Sequence, residues 1–228
     1  MQKQGIFSMG GLKIMTISGI PVYLNITILF LVAPWFRALP QALAIEFAVL
    51  VVLSILFHEL GHALVAKAYQ QTGISITLHG FGGFASISGS RTLLEDLWIT
   101  LAGPAATFLT AILFYVMSVY AGDGMQGRIF GILAELNVGL GVINMIPLMP
   151  WDGGRALANL LSLKMGAERG FRIVGFVGLV LAPAVAYYGY ISGRSTLFYI
   201  FAFLGLVTSL SYAFGPARST SGDAPPPQ

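Results

Sequence analysis

The sequence has no cysteine and little charge. With no cysteine among its 228 residues, disulfides, thiolate metal ligands and a cysteine nucleophile are excluded. Asp, Glu, Lys and Arg make up 9% of the chain, against about 25% in an ordinary soluble domain. Too few charged side chains are present to clothe a soluble enzyme or to keep a disordered chain solvated. Apolar residues take their place, at 56% of the sequence and in runs of spanning length, which points to lipid as the solvent. A net charge of +3 hints at nucleic acid. The twelve Lys and Arg are scattered between apolar runs, however, and fit membrane topology better, so no nucleic-acid partner is expected.

Apolar periodicity predicts helices at about 20–38, 42–69, 93–121, 128–149, 171–190 and 195–214. The expected fold is an all-α polytopic membrane protein of about six transmembrane helices. One membrane domain is expected over 1–214, followed by a disordered cytoplasmic tail over 215–228 that ends in Ala-Pro-Pro-Pro-Gln. No cleavable leader pattern opens the chain, so its N-terminus is expected to be retained. With the N-terminus cytoplasmic, nine basic residues fall on inner segments (Lys67, Arg91 and Arg155 among them) and three, Arg37, Arg128 and Arg194, on outer loops. This asymmetry predicts a multi-pass protein of the cell membrane with both termini in the cytoplasm. Between the second and third helices, Ile74, Ile76 and Leu78 alternate with polar residues, glycines follow, and Phe84 to Ser88 resume the pattern. That predicts a small membrane-associated β-hairpin, either a plain surface hairpin or a functional edge.

Polar residues within spans are functional candidates, because lipid makes them costly. His58-Glu59-Leu60-Gly61-His62 closes the second predicted helix. Positions i and i+4 share a helical face about 6 Å apart along the axis, so both imidazoles reach one ion and Glu59 reaches a water beside it. With three His and five Glu in the chain, H-E-x-x-H arises by chance in roughly one such sequence in a thousand. A catalytic zinc takes a third protein ligand. His79 in the hairpin is one candidate. Asp152 is the better one, in Asn144-Met-Ile-Pro147-Leu-Met-Pro150-Trp151-Asp152-Gly153-Gly154-Arg155, where two prolines break the helix and a carboxylate near a span end calls for a cation. The competing role for Asp152 is an N-cap of the next helix.

These two motifs resemble the site-2 protease family of intramembrane zinc metalloproteases. The Gly-rich segment Phe81-Gly82-Gly83-Phe84 and the stretch Leu101-Ala102-Gly103-Pro104-Ala105-Ala106 resemble it as well, so that the likeness covers about residues 50–160. Where many members carry Asn shortly after Gly-Pro, this chain has Thr107, which keeps a hydrogen-bonding group. The resemblance implies one zinc ion per chain on His58, His62 and Asp152, Glu59 as catalytic base, and Asn144 assisting at the site. An interhelical hydrogen bond is the other role open to Asn144. Hydrolysis would begin with water activated at the zinc, from which Glu59 takes a proton and passes it to the leaving amine.

The expected substrates are transmembrane segments of other proteins, locally unwound. An unwound strand would add to the hairpin edge, with Gly82, Gly83 and Phe84 as the substrate-binding candidates. No PDZ domain in the loop Gly122 to Gly127 and no CBS pair in the tail are expected. Access would then be controlled by the helices, the hairpin or a separate regulatory membrane protein. The rival reading is a divalent metal-ion transporter using His58, His62 and Asp152 for transit, which leaves Glu59 without a role. Glu46 and Glu135 read as span-end or interhelical polar groups, Tyr23 as an interface anchor, Gly103 as a packing residue, and Glu95 with Asp96 as favourable charges at a helix start.

Overall fold

A computed structural model describes residues 7–8, 11–33, 35–80, 82–193 and 195–215. Phe81, Arg194 and the expected tail beyond residue 215 lie outside the described residues. The molecule is mostly helical with one small sheet, and it divides into two compact units, residues 1–89 with 102–141, and residues 90–101 with 142–228.

In the first unit, β1 (Phe7–Ser8), β2 (Gly11–Ile17), β3 (Ile20–Asn25), β4 (Thr72–His79) and β5 (Gly82–Ser88) form a sheet in that order. Two short helices, α1 (Ile28–Val32) and α2 (Trp35–Ala38), lead to the long α3 (Gln41–Ala68). The expected helix over 20–38 is therefore wrong. Ser18 and Gly19 both take positive φ, 49° and 79°, which makes the two-residue turn that suits a twisted hairpin. Around it, Ile17 pairs with Ile20, and Lys13 with Tyr23. Pro21 lacks an N–H, and it precedes the parallel ladder of β3 on β4, which starts at Val22 and Ile76. The predicted hairpin is present as β4 and β5, with Ile76 opposite Ala85 and Leu78 opposite Gly83, but as the outer part of this larger sheet. Tyr23, expected at the membrane interface, is a strand residue only 1% exposed.

The alternation of β3 and β4 has a clear destination. Ile20 and Val22, and Ile76 and Leu78, share one face at period two and bury it against Ile55, Leu56, Leu60 and Ala63 of α3. The sheet is thereby fastened to the helix that carries both motif histidines. Lys67, in the last turn of α3, adds a hydrogen bond from its Nζ to the Ser18 carbonyl in the β2–β3 turn.

Helix α4 (Leu93–Ala121) starts at a reciprocal cap: the Glu95 N–H donates to Thr92 Oγ1 at 3.2 Å, and the Thr92 N–H donates to Glu95 Oε2 at 2.8 Å. Helix α5 (Met125–Asn144) follows. Phe47 of α3, Phe114 of α4, and Ile129 and Leu133 of α5 form a second cluster in the first unit. Glu46 accepts an interhelical hydrogen bond from Gln126 at 3.2 Å, one of its two expected roles, whereas Glu135 is exposed at the middle of α5 rather than at a span end.

The second unit holds α6 (Asp152–Met165), α7 (Ala167–Ile191) and α8 (Ser195–Phe214). Met149, Ala158 and Val174 centre its core. Thr208 of α8 donates to the Met149 carbonyl at 2.7 Å, and Trp151 meets the Phe201 ring edge-on, so α8 holds the segment that leads into α6.

Among the described residues, three helices are long and apolar enough to cross a membrane, α3, α4 and α7. The expected six spans are not reached. The first became strands and short helices, and α5 carries Arg128, Glu135 and Asn137 along its length.

Candidate metal centre

His58, Glu59 and His62 occupy consecutive turns near the end of α3, and all three are buried. The two imidazoles converge: Nε2 of His62 lies 3.1 Å from Nε2 of His58, with the rings edge to face. Two nitrogens that each sit about 2.05 Å from a tetrahedral zinc are about 3.3 Å apart, so this spacing suits two ligands of one ion.

That convergence depends on how closely α3 and α4 cross. A Cβ at Gly61 would run into the Ala102 carbonyl and the Ala106 side chain, and a Cβ at Gly103 would land on the His62 ring, all inside 3.0 Å. Only glycine lets the two backbones come so near, as small residues do at helix contacts in lipid. One turn along α4, Thr107 is fully buried, with its Oγ1 2.8 Å from His58 Nδ1 and 3.1 Å from the Gly103 carbonyl. The pairs His62 with Gly103 and His58 with Thr107 run in opposite senses, so the helices are antiparallel here. Gly103, expected only to serve packing, forms the wall of the histidine site.

Glu59 faces the sheet. A Cβ at Gly83 of β5 would fall on Glu59 Cγ, Cδ and Oε1, so the strand backbone lies directly on the acidic side chain. Gly82 has φ of 124°, and Phe84 is 49% exposed. His79 ends β4, half-buried, and burial holds its imidazole below the usual histidine range by disfavouring the charged form.

The remaining candidates lie in the second unit. Asn144 is the last residue of α5, and Asp152 is the first of α6, with Trp151 in the N-cap position that the sequence had offered to Asp152. Asp152 and Asn144 are each part-buried. The start of α6 lies against the preceding loop, because Cβ atoms at Gly153 and Gly154 would meet the backbone of Met145 to Met149. Three residues after Asp152, Arg155 binds Asp96 near the start of α4 with two hydrogen bonds, Nε to Oδ2 at 2.8 Å and Nη2 to Oδ1 at 2.6 Å. Asn159 Nδ2 adds a third at 2.7 Å and Arg91 Nε a fourth at 2.5 Å. Asp96, expected to act only on the helix dipole, is the hub of a buried polar cluster that fixes the first turns of α6. No fixed sequence spacing links residue 96 to 155, so this pairing had no local signal.

Comparison with known proteins decides what the buried histidine site belongs to. Residues 46–126 match the model of Peptidase family M50. The chain carries a Peptidase family M50 domain. It is 34% identical over 198 residues to a zinc metalloprotease of Methanocaldococcus jannaschii, covering 85% of this chain and 58% of that protein. Stage IV sporulation protein FB of Bacillus subtilis is 26% identical over 123 residues, 53% of this chain and 42% of that protein. Among solved structures, a site-2 protease from Methanocaldococcus jannaschii superposes with a TM-score of 0.65 at 28% identity, over 92% of this chain and 98% of that one. The chain spans about half the length of the curated relatives it matches. The first of these relatives is named a zinc metalloprotease and the solved structure a site-2 protease, and nothing in these relatives supports a metal transporter.

Proposed function

We propose that this chain is an intramembrane zinc metalloendopeptidase that hydrolyses peptide bonds in or near transmembrane segments of membrane-protein substrates. The observation that carries the reading is the pair of buried imidazoles, with Nε2 atoms 3.1 Å apart, and buried Glu59 between them on the same helix. His58, His62 and Asp152 offer two imidazole nitrogens and one carboxylate oxygen, the donor set of a three-ligand catalytic zinc, and one ion per chain is proposed there. Bound zinc supplies Lewis-acid activation of water and of the scissile carbonyl.

The chain's own residues do the rest. Glu59 accepts the proton of the attacking water and returns it to the leaving amine. The Asn144 side-chain amide donates a hydrogen bond to the developing oxyanion. Burial of the histidines and Glu59 keeps bulk water from competing. Gly82, Gly83 and Phe84 take the substrate. The sheet order leaves β5 at its edge, so an unwound substrate strand is added there by β-augmentation, beside the strand position where Gly83 meets Glu59. A proline at Ala85 would then block cleavage, whereas one at Ile76 would break the sheet interior and test only folding.

Lys67 at the end of α3, Arg91 before α4, and Arg155 early in α6 support a cytoplasmic position for the motif side of the helices. The parallel pairing of β3 on β4 supports the same side for the N-terminal strands. With α7 and α8 as a returning pair, both termini are assigned to the cytoplasm, and access to the site is assigned to the sheet edge or to a regulatory membrane protein.

The test compares purified wild type with Glu59→Gln in detergent, measuring bound zinc and cleavage of a panel of single-span substrates. Zinc in both with cleavage by wild type alone is expected. Cleavage by Glu59→Gln at the wild-type rate would refute the mechanism, and absence of zinc from wild type would refute the metal site.

A further inference from the structure

We infer that Thr107 is a positioning residue that fixes the tautomer of His58 and so leaves its Nε2 bare for the metal. The inference rests on the metal reading above for its consequence, but its geometry is independent of it. A neutral imidazole carries one N–H, and the nitrogen opposite that N–H is the one able to ligate. The Thr107 hydroxyl has a single hydrogen and two neighbours in reach, the Gly103 carbonyl at 3.1 Å and His58 Nδ1 at 2.8 Å. A carbonyl accepts only, so the hydroxyl hydrogen goes to Gly103. The oxygen that remains is an acceptor, and it faces Nδ1.

His58 therefore keeps its proton on Nδ1 and turns an unprotonated Nε2 towards Nε2 of His62. Were the hydroxyl to donate to Nδ1 instead, Nε2 would be protonated and would have to lose its proton before it could ligate. The bond to Gly103 prevents this, because a threonine in a helix readily donates to the carbonyl four residues back. Thr107 is 0% exposed and α4 crosses α3 at glycine contact distance, so no water replaces the hydroxyl. Hydrogen bonds from partners of this kind set ligand orientation, and their loss typically weakens metal binding 10- to 100-fold.

The experiment uses the full chain in detergent as wild type, Thr107→Ser and Thr107→Val. With only three histidines in the sequence, ¹⁵N-histidine NMR of the metal-free protein reads the His58 tautomer directly. Zinc affinity is measured on the same samples by competition with a chromogenic chelator. Valine keeps the shape of threonine without the hydroxyl, and serine keeps the hydroxyl.

An Nδ1–H tautomer in wild type and Thr107→Ser, replaced by a mixture in Thr107→Val, with zinc binding weakened 10- to 100-fold in Thr107→Val alone, supports the inference. Protonated Nε2 in wild-type His58, or a Thr107→Val protein that matches wild type in both readouts, overturns it. If the tautomer pattern holds and no protein binds zinc, Thr107 keeps its assignment and the proposed metal function falls instead.

Discussion

Replacing Asp96 by Asn tests the claim that a buried carboxylate holds the start of α6. The change keeps the side chain's shape and removes its charge. In the native cluster Oδ1 accepts from Arg91 Nε and Arg155 Nη2, and Oδ2 accepts from Arg155 Nε and Asn159 Nδ2. An asparagine amide offers one oxygen and one NH2 group, so whichever way it turns, two donors face another donor. Hydrogen bonds to a charged group contribute about 1.5–3 kcal/mol each, which puts the gross loss at about 3–6 kcal/mol. Arg155 is 44% exposed and regains water, and Asn159, whose Oδ1 has no other partner, can turn its amide to accept, so the lower end applies. The expected destabilisation is about 3 kcal/mol, more than a hundredfold in the ratio of folded to unfolded protein. Equilibrium unfolding in mixed micelles, with zinc chelated, measures it. A loss below about 0.5 kcal/mol would show that water already satisfies the cluster and that Asp96 anchors nothing.

Three further outcomes follow from the geometry. Gly103→Ala puts a methyl on the His62 ring, where overpacking costs about 1–3 kcal/mol against a gain of about 0.5–1 kcal/mol in helix propensity, so a loss of zinc affinity of about tenfold is expected by chelator competition. Unchanged affinity would mean that α3 and α4 separate without cost. Gly83→Ala displaces Glu59 and leaves both histidines untouched, so zinc binding should stay within about threefold while cleavage falls by at least 100-fold, and equal losses in the two assays would contradict the assignment. For His79 the folded imidazole is held below its ordinary value near 6.5, so the unfolded chain binds the extra proton first. Stability from this group is complete above about pH 6.5 and declines as pH falls towards the folded value. Wild type should therefore lose stability over that interval more steeply than His79→Gln, and an NMR midpoint at or above 6.5 would reverse the sign.

What was legible in the sequence was chemistry on a single element. His58, Glu59 and His62 share one helix at fixed spacing, so α-helical geometry alone predicts that the imidazoles converge, and they do. The β4–β5 hairpin, the α4 boundaries and the helical positions of α5, α7 and α8 were legible for the same reason, since each rests on local periodicity or turn residues. The first predicted span failed because Ile20 to Leu24 is a short, largely apolar run, and such a run reads equally as buried strand or as helix. The deciding signal was Ser18-Gly19, a two-residue turn between apolar runs, whose partner strand β4 lies some fifty residues away. The Asp96 cluster was invisible for a related reason, because nothing local says that one carboxylate near a helix start gathers two arginines and an asparagine.

The least polar residues of the motif region are also the ones that make it a site. In lipid there is little hydrophobic force to press two apolar helices together, so their approach is governed by how closely the backbones fit. Gly61 and Gly103 set that distance, and His62 reaches His58 only because no Cβ stands at residue 103. The two imidazoles therefore owe their geometry to a contact with no chemistry of its own. The aspartate of the proposed donor set is held differently: the helix that starts at Asp152 is fixed by the Asp96 charge cluster and by the Thr208 and Trp151 contacts with α8. Shape fixes the two imidazoles and charge fixes the carboxylate's helix. A methyl at Gly103 and a neutral amide at Asp96 should then act independently and add within about 0.5 kcal/mol when combined. A larger coupling energy would mean that one packing event positions all three proposed ligands.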